Sequence, residues 1–184
     1  MRVVIIGGGI SAAYLANKLK KEDSFLEVLI LSDESHPPYD RIHLCHILDA
    51  SENLDGIALQ IDPTVKIQLN QFIEKIDKKS KRVFSKNSMF SYDKLIIATG
   101  SLPTPLFDIS DISNAAVFRS ANDCELIKNT LNTQEVVIVG GGPIGLELLE
   151  TLNEMPHIKS ITLILRAKHL YSKELSIDSI KTIE

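Results

Sequence analysis

The sequence is poor in cysteine, in long apolar runs and in net positive charge, and each scarcity excludes a class of protein. Cys45 and Cys124 are the only cysteines, too few for the disulfide framework of a small secreted domain. No apolar run approaches the roughly 20 residues that a membrane-spanning helix needs. The formal net charge of -4 and the isoelectric point of about 5.7 argue against a nucleic-acid-binding surface.

The N-terminus also lacks the basic and apolar regions of a secretory or transit peptide, because the first predicted strand begins at Arg2. We therefore expect a cytoplasmic protein whose thiols stay reduced, with neither a membrane nor a nucleic acid as partner. The length of 184 residues suits one large domain or two small ones.

Glycine is scarce as well, and its placement is informative. Eight of the nine glycines lie in two loops or at Gly100. The first loop, Gly7, Gly8 and Gly9, follows the branched apolar run 3–6 and precedes a helical pattern of apolar residues. A strand, a glycine turn and a helix in this order predict a dinucleotide-binding loop.

Each position in such a loop has a physical role. Gly7 permits the tight turn, Gly9 lets the backbone approach a pyrophosphate, and Ala12 is small enough for the helix to pack on the strand. The helix N-terminus offers N–H groups and a partial positive charge to the phosphates. The pattern returns 133 residues further along the chain, at Gly140, Gly142 and Gly145. This repetition favours two nucleotide sites over two purely structural turns.

The rest of the pattern alternates buried strands with helices and contains one antiparallel section. Predicted strands span residues 2–6, 27–31, 72–76, 82–84, 89–91, 95–98, 136–139 and 161–165. Predicted helices span residues 10–21, 120–131 and 175–183, and the loop 36–44 leads into a short helix. These elements predict an α/β fold with two Rossmann-like three-layer units and a small antiparallel β-meander, the second unit being incomplete.

Five stretches, in this order, resemble one family. They are the first glycine loop, residues 38–41 (Pro-Tyr-Asp-Arg), 92–101 (Tyr-Asp-Lys-Leu-Ile-Ile-Ala-Thr-Gly-Ser), 118–120 (Phe-Arg-Ser) and 140–147. They resemble the pyridine nucleotide-disulphide oxidoreductase superfamily, most closely rubredoxin and ferredoxin reductases and the flavin portion of NAD(P)H-dependent nitrite reductase. The resemblance implies FAD and either NADH or NADPH as cofactors, an FAD-binding domain at 1–114 and an NAD(P)-binding domain at 115–184.

The resemblance also implies contacts with these cofactors. The implied FAD contacts are Gly7, Gly9, Ile10, Ser11, Ala12, Arg41, Ile73, Ala98, Thr99, Gly100 and Arg119. The FAD ribose is expected to bind Asp33, with Glu34 as a competitor, because an acid is expected about 20 residues past the helix start. The implied nicotinamide-dinucleotide contacts are Gly140, Gly142, Ile144 and Gly145. Three structural alternatives stay open: Asp33 at a solvated strand end, Arg41 as a surface cation, and Arg119 in a helix-flanking salt bridge.

Three positions near the second loop bear on the chemistry. Glu147 matches a family glutamate near the nicotinamide and flavin rings, although a carboxylate close to a helix start also complements the helix dipole. The lysine that the reductases pair with this glutamate is His46 here, an imidazole that can be neutral near pH 7. The acid for the second ribose is expected 20 residues past Gly145, where Leu165 stands. Arg166 follows it and suits a 2′-phosphate, so the choice between NADH and NADPH stays open.

The function implied by the resemblance is a flavoprotein oxidoreductase. It would pass hydride from NAD(P)H to FAD and electrons on to an acceptor protein or domain, such as a nitrite-reductase-type centre. A homodimer is compatible with this activity. The sequence has no Cys-x-x-Cys pair, which excludes a dithiol relay. The family continues beyond Glu184 with a second FAD segment and an interface domain, so we expect a fragment or a naturally short product.

Two alternatives to the reductase stay open. The first is a thiol-dependent NADH oxidase or coenzyme A-disulfide reductase that uses Cys45, whose pKa His43 and His46 would lower. The second is a non-catalytic module that binds FAD or NAD. We expect no metal site at His43, Cys45 and His46, because their spacing on one helix aligns only some of the three side chains.

Overall fold

The computed structural model describes residues 1–104, 108–109, 111–131, 135–166 and 170. Contacts within the chain define two compact units. Unit 1 comprises Met1–Arg41 with Leu54–Pro103, and unit 2 comprises Ile42–Asn53 with Thr104–Glu184. The segment 42–53 therefore groups with the later part of the chain. The division into an FAD domain and an NAD(P) domain after residue 114 stays a prediction.

Strands and helices alternate through the described part of the chain. In chain order the elements are β1 (Arg2–Ile6), α1 (Ile10–Glu22), β2 (Glu27–Leu31), a 3-10 turn (Arg41–His43), α2 (Leu44–Leu48), β3 (Lys66–Gln68), β4 (Ile73–Asp77), β5 (Arg82–Ser85), β6 (Met89–Ser91), β7 (Lys94–Ile97), α3 (Ala121–Thr130), β8 (Glu135–Val139), α4 (Pro143–Asn153) and β9 (Ser160–Ile164). Strands β1, β2 and β6 have the predicted bounds, and the other predicted strands lie within one residue of theirs.

Unit 1 is built on a parallel sheet with strand order β3-β2-β1-β7. The central strand β1 places Val4 opposite Leu29 of β2 and opposite Leu95 of β7. The edge strand β3 was not predicted from the sequence, and its Ile67 pairs with Ile30. All three strand pairings are parallel, as expected for strands that are linked by crossovers.

The two faces of this sheet are covered by different structures, which makes unit 1 three layers deep. Val3 and Ile5 face α1, where Ala12 and Ala16 are small enough for the helix to approach the sheet closely. Val4 and its neighbours on the other face pack under the antiparallel meander β4-β5-β6. Each fully buried aliphatic side chain of this kind contributes roughly 1.5–3 kcal/mol to stability.

Unit 2 repeats the strand–loop–helix–strand order. Strands β8 and β9 pair in parallel, with Ile138 opposite Leu163. Helix α4 packs Leu148, Leu149 and Leu152 against this pair. Leu48 of α2 belongs to the same apolar cluster, which explains why the segment 42–53 belongs to unit 2.

The predicted α/β class is confirmed in both units. Unit 2 has a two-stranded sheet in its described residues, which fits an incomplete dinucleotide-binding fold. The predicted helix 175–183 lies outside the described residues. No helix in the described part of the chain is long and apolar enough to cross a membrane.

Helix α3 begins with a reciprocal cap. Ser120 Oγ accepts a hydrogen bond from Asp123 N at 3.2 Å, and Asp123 Oδ2 accepts one from Ser120 N at 2.7 Å. The two side chains together satisfy backbone donors that an isolated helix leaves unpaired.

We expect Ser120→Ala to lower the free energy of unfolding by about 1 kcal/mol, because it removes an N-cap oxygen. The matched control is Ser120→Thr, which keeps the oxygen and should stay close to the wild type. Urea titration of the three proteins measures the difference. Equal stability of Ser120→Ala and the wild type would contradict the assigned role of the cap.

Candidate functional site

The first glycine loop joins β1 to α1 by a turn that only glycine adopts without strain. Gly7 has φ of +113°, and a Cβ added there would collide with the carbonyl oxygen of Ala98. Gly7 N donates to Leu31 O at 2.8 Å, which fixes the turn at the end of β2. We call residues 7–9 and the start of α1 the first cradle.

The mouth of the first cradle is open in front of the helix. Gly9 is the N-cap of α1 with φ of -88° and ψ of -177°, a conformation that any residue adopts. A Cβ added at Gly9 meets no atom within 4 Å. The first turn of α1 contains no acidic residue, and no side chain caps it. Its N–H groups and positive dipole end are therefore available to an anion.

The second cradle, residues 140–142 and the start of α4, has the same construction. Gly140 has φ of +124°, and its N–H donates to Ile164 O at 2.9 Å. Gly142 is the N-cap of α4 with φ of -87° and ψ of -175°, and a Cβ added there again meets nothing within 4 Å. A Cβ at Gly145 would collide with the carbonyl oxygen of Gly140, so the third glycine is sterically required. The first turn of α4 also has neither an acidic residue nor a side-chain cap.

The two cradles share a register that extends to the following strands. A Cβ added at Gly8 would collide with the Ser32 side chain, and one added at Gly141 would collide with the Leu165 side chain. Ser32 and Leu165 therefore occupy equivalent positions. The residue equivalent to Asp33 is then Arg166, one residue past Leu165. The position that binds the second ribose stays a prediction.

The two acidic residues after β2 have different surroundings. Glu34 forms an ion pair with Arg41, and Tyr39 donates to its second carboxylate oxygen at 2.6 Å. Arg41 also donates to the Tyr39 hydroxyl at 2.9 Å and lies 5.0 Å from the centroid of its ring. Both charged side chains are mostly buried, with 24% and 18% of their surface exposed for Arg41 and Glu34. Asp33 is exposed.

These contacts bear on the alternative that Arg41 is a surface cation. Although burial opposes its charge, the hydrogen bond that Arg41 donates to Glu34 raises the pKa of the Arg41 guanidinium. Arg41 is thus a half-buried, paired cation and not a freely solvated surface cation. The role of Tyr39 was not predicted from the sequence, although the tyrosine lies two residues before Arg41 in the motif 38–41.

The end of β7 lies next to the first cradle. Ala98 N donates to Ile6 O at 2.8 Å, Thr99 is exposed, and Gly100 has φ of +69°. Ile73, another expected FAD contact, is partly buried and packs in the cluster beneath the meander.

The remaining expected contacts lie at helix starts. Ile10 and Ser11 are exposed in the first turn of α1, and Ile144 is exposed in the first turn of α4. Arg119 is partly buried and precedes α3, where its backbone N donates to Asp123 Oδ2 at 3.1 Å. Whether these residues contact a cofactor stays a prediction.

Cys45 lies in unit 2 with only 3% of its surface exposed. Its thiol is next to Thr151 and Glu147 of α4. Burial, assisted by the Glu147 carboxylate, raises the pKa of the Cys45 thiol to about 12. A thiol of this kind is protonated at neutral pH and is unsuited to nucleophilic attack. Thr151 was not predicted from the sequence, because its proximity to Cys45 depends on the packing of α2 against α4.

Glu147 is the fifth residue of α4 and is exposed. It lies beyond the first helical turn, so compensation of the helix dipole does not explain it. His46 is exposed on α2, and its ring centroid lies 5.3 Å from that of His43. No group of three metal-ligating side chains occurs among the described residues.

The family described as pyridine nucleotide-disulphide oxidoreductase matches residues 1–182, and the chain belongs to it. This confirms the resemblance noted in the sequence and assigns the chain to an oxidoreductase family. The crystal structure of the covalent putidaredoxin reductase–putidaredoxin complex has the same fold, with a TM-score of 0.85 at 22% identity, over 98% of this chain and 46% of that chain.

Two curated relatives are similar in sequence. The chain is 28% identical over 156 residues to the nitric oxide reductase FlRd-NAD(+) reductase of Escherichia coli O7:K1 (strain IAI39 / ExPEC), covering 79% of this chain and 40% of that protein. It is 30% identical over 155 residues to the assimilatory nitrate reductase electron transfer subunit of Bacillus subtilis (strain 168), covering 79% of this chain and 20% of that protein. The chain thus spans less than half the length of these relatives.

The burial of the cysteines predicts slow alkylation of the folded protein. Burial also raises the pKa of the Cys124 thiol, to about 11. At about pH 8 we expect iodoacetamide to modify Cys45 and Cys124 at least about 100-fold more slowly than in concentrated urea, because little thiolate forms. Mass spectrometry measures the rates, and Cys124→Ala isolates Cys45. Rapid modification of folded Cys124→Ala would restore the thiol-dependent alternative.

The raised pKa values of the Cys45 and Cys124 thiols predict that the folded protein loses stability at alkaline pH. A thiol with a raised pKa in the folded state stabilises the fold fully below its unfolded value of about 9. This contribution decreases as the pH rises from about 9 towards the folded pKa.

Proposed function

We propose that this member of the pyridine nucleotide-disulphide oxidoreductase family binds FAD at the first cradle and a nicotinamide dinucleotide at the second cradle. It would transfer hydride from NAD(P)H to the flavin and pass the electrons on to an acceptor. We assign FAD to unit 1 and NAD(P)H to unit 2, in the order that the family resemblance implies.

One observation carries the proposal: glycine stands at both helix starts where the protein itself does not require it. Gly9 and Gly142 have ordinary backbone angles, and a Cβ at either position meets no protein atom within 4 Å. Serine or aspartate is the usual helix cap at such a position. A ligand that needs direct access to the backbone explains the absence of a side chain, and a pyrophosphate at a helix N-terminus is such a ligand.

The residues around the first cradle also suit parts of FAD other than its pyrophosphate. Asp33 is exposed at the end of β2, so its carboxylate can accept hydrogen bonds from the ribose hydroxyls of FAD. Glu34 is a poor candidate, because both of its carboxylate oxygens already have partners in Arg41 and Tyr39. Thr99 and Gly100 leave β7 at the carboxyl edge of the sheet, where parallel sheets bind ligands.

In unit 2 the second cradle would hold the pyrophosphate of the dinucleotide. The N–H groups at the start of α4 would donate to its phosphate oxygens. We propose that Glu147 lies near the reacting rings, since it is exposed on α4 one turn past the cradle. Bound FAD supplies a two-electron acceptor that passes electrons on to the next carrier.

The names of the relatives support a protein acceptor. One relative is named nitric oxide reductase FlRd-NAD(+) reductase, and another is named assimilatory nitrate reductase electron transfer subunit. We infer that the acceptor is a redox protein or a domain of this kind. The cytoplasm remains the proposed location, since both cysteines are free thiols. Self-association as a homodimer is a further prediction.

Flavin reduction tests the proposal directly. We expect the protein to take up FAD, and its visible flavin absorbance to fall when NADPH or NADH is added without oxygen. Gly9→Ser should abolish FAD uptake, whereas Gly142→Ser should bind FAD and resist reduction. Serine is a favourable N-cap residue and adds a cap oxygen that glycine lacks, so we expect neither variant to be less stable than the wild type by more than about 0.5 kcal/mol.

Two outcomes would contradict the proposal in different ways. A wild-type protein that takes up no FAD would remove the assignment of the first cradle. FAD uptake without reduction by either nucleotide would instead support the non-catalytic binding module. Loss of stability in both serine variants would indicate that the glycines have a structural role.

The adjacent acids provide a matched pair of variants. Asp33→Asn should weaken FAD binding about tenfold, because a charged acceptor for the ribose is lost, and leave stability unchanged. Glu34→Gln should lower the free energy of unfolding by about 1–2 kcal/mol, because Arg41 loses its partner. Flavin fluorescence titration and urea titration measure the two effects. If Glu34→Gln instead weakened FAD binding and left stability unchanged, Glu34 and not Asp33 would be the acid that binds the ribose.

A further inference from the structure

The turn that joins β4 to β5 concentrates positive charge in a chain whose formal net charge is -4. Six of the chain's 20 basic residues lie between Lys75 and Lys86, and Asp77 is the only acid in this stretch. We call residues 78–82 the basic turn. Its exposed cations are Lys78, Lys79, Lys81 and Arg82.

Two acids close to the basic turn hold backbone groups of unit 1. Asp77 Oδ1 accepts hydrogen bonds from Lys79 N at 2.9 Å and Ser80 N at 3.2 Å, which closes the turn. Asp93 Oδ2 accepts from Arg2 N at 2.6 Å. Among the described residues, no carboxylate forms an ion pair with a cation of the basic turn. These cations are therefore available to an external anion.

Lys81 occupies a backbone position that lysine does not favour. Its φ is +50°, in the left-handed region where glycine and asparagine are the usual residues. Its carbonyl accepts a hydrogen bond from Tyr92 N at 3.0 Å, which fixes this conformation. Because the Lys81 side chain is exposed, packing does not explain the choice of lysine. A residue that breaks a local rule without a packing gain points to a functional surface.

The basic turn lies at the opposite end of β1 from the first cradle. Asp93, the residue after Tyr92, donates its N–H to Arg2 O at 2.9 Å, so the turn lies close to the start of β1. The first cradle follows the end of this strand of five residues, a length of roughly 16 Å. The anion that suits the basic turn is therefore not the pyrophosphate of the first cradle.

We propose that the basic turn binds a short acidic segment of a partner protein. Its lysine and arginine side chains donate charge-assisted hydrogen bonds to carboxylates. A segment with a few carboxylates matches the small size of the turn. A nucleic acid or an anionic membrane would extend beyond it onto a chain of net negative charge, which opposes binding. This surface does not depend on the nucleotide assignments.

A binding titration with a fluorescently labelled hexaglutamate peptide tests the proposal by anisotropy. The salt concentration should be about 0.15 M, because screening then limits the contribution of distant charges. We expect the wild type to bind the peptide. A turn variant with glutamine at all four cations of the basic turn should bind at least about tenfold more weakly, since each exposed pair contributes modestly.

A matched control variant removes the same number of charges elsewhere. It replaces four other exposed lysines by glutamine, namely Lys18, Lys21, Lys128 and Lys159. It has the net charge of the turn variant and should keep its hexaglutamate affinity within about twofold of the wild type. Urea titration checks that both variants fold.

Lys81→Gly separates the backbone of this residue from its charge. Glycine suits the left-handed conformation, so the urea midpoint should not fall, whereas hexaglutamate binding should weaken about twofold. A lower urea midpoint with unchanged binding would show that Lys81 serves stability and would contradict its assigned role.

Three other results would overturn the proposal. A wild type that does not bind hexaglutamate has no such site. Equal losses in the turn variant and the control variant would attribute binding to net charge alone. Tighter binding of a thymidine hexanucleotide, or of vesicles that contain phosphatidylserine, than of hexaglutamate would assign the basic turn to a different class of partner.

Discussion

Unit 1 depends on one close contact between backbones, where the ends of β1 and β7 meet. Gly7 lies against the carbonyl of Ala98 so closely that no side chain fits between them. Ala98 N in turn donates to Ile6 O, so the two strand ends are joined directly. Because of this contact, Thr99 and Gly100 leave the sheet beside the first cradle. The turn that exposes a helix N-terminus and the loop that lies next to it are therefore one structural feature.

The two adjacent acids, Glu34 and Asp33, differ in their electrostatic surroundings. A half-buried guanidinium needs a partner, since an unpaired charge in that setting is costly. Glu34 supplies it, and Tyr39 fixes both groups because its hydroxyl donates to the carboxylate and accepts from Arg41. Tyr39 is itself fixed by a bridge to Ala58. Asp33, the adjacent acid, is exposed to solvent.

Much of this fold was predictable because its signals are local. Strands β1 and β2 are apolar runs next to turn residues, and both were predicted with the correct bounds. The edge strand β3 was missed, because Lys66–Gln68 is too short to show a period and depends on pairing with β2. The membership of 42–53 in unit 2 was missed for the same reason, since it depends on contacts with residues far along the chain. Most of the site's glycines could be predicted from the sequence pattern. The pairing of Glu34 and the burial of Cys45 could not, because both depend on tertiary packing.

The repeated cradle also explains why specificity lies outside it. Gly9 and Gly142 present only backbone, and backbone N–H groups interact in the same way with any pyrophosphate. Two cradles with nearly identical dihedral angles therefore cannot distinguish one dinucleotide from another. Discrimination requires a side chain that reaches the part in which the ligands differ. The first position past the second strand can change its charge without disturbing the turn, because the preceding residue, Ser32 or Leu165, makes the contact with the glycine loop. One scaffold can thus carry opposite charges at equivalent sites.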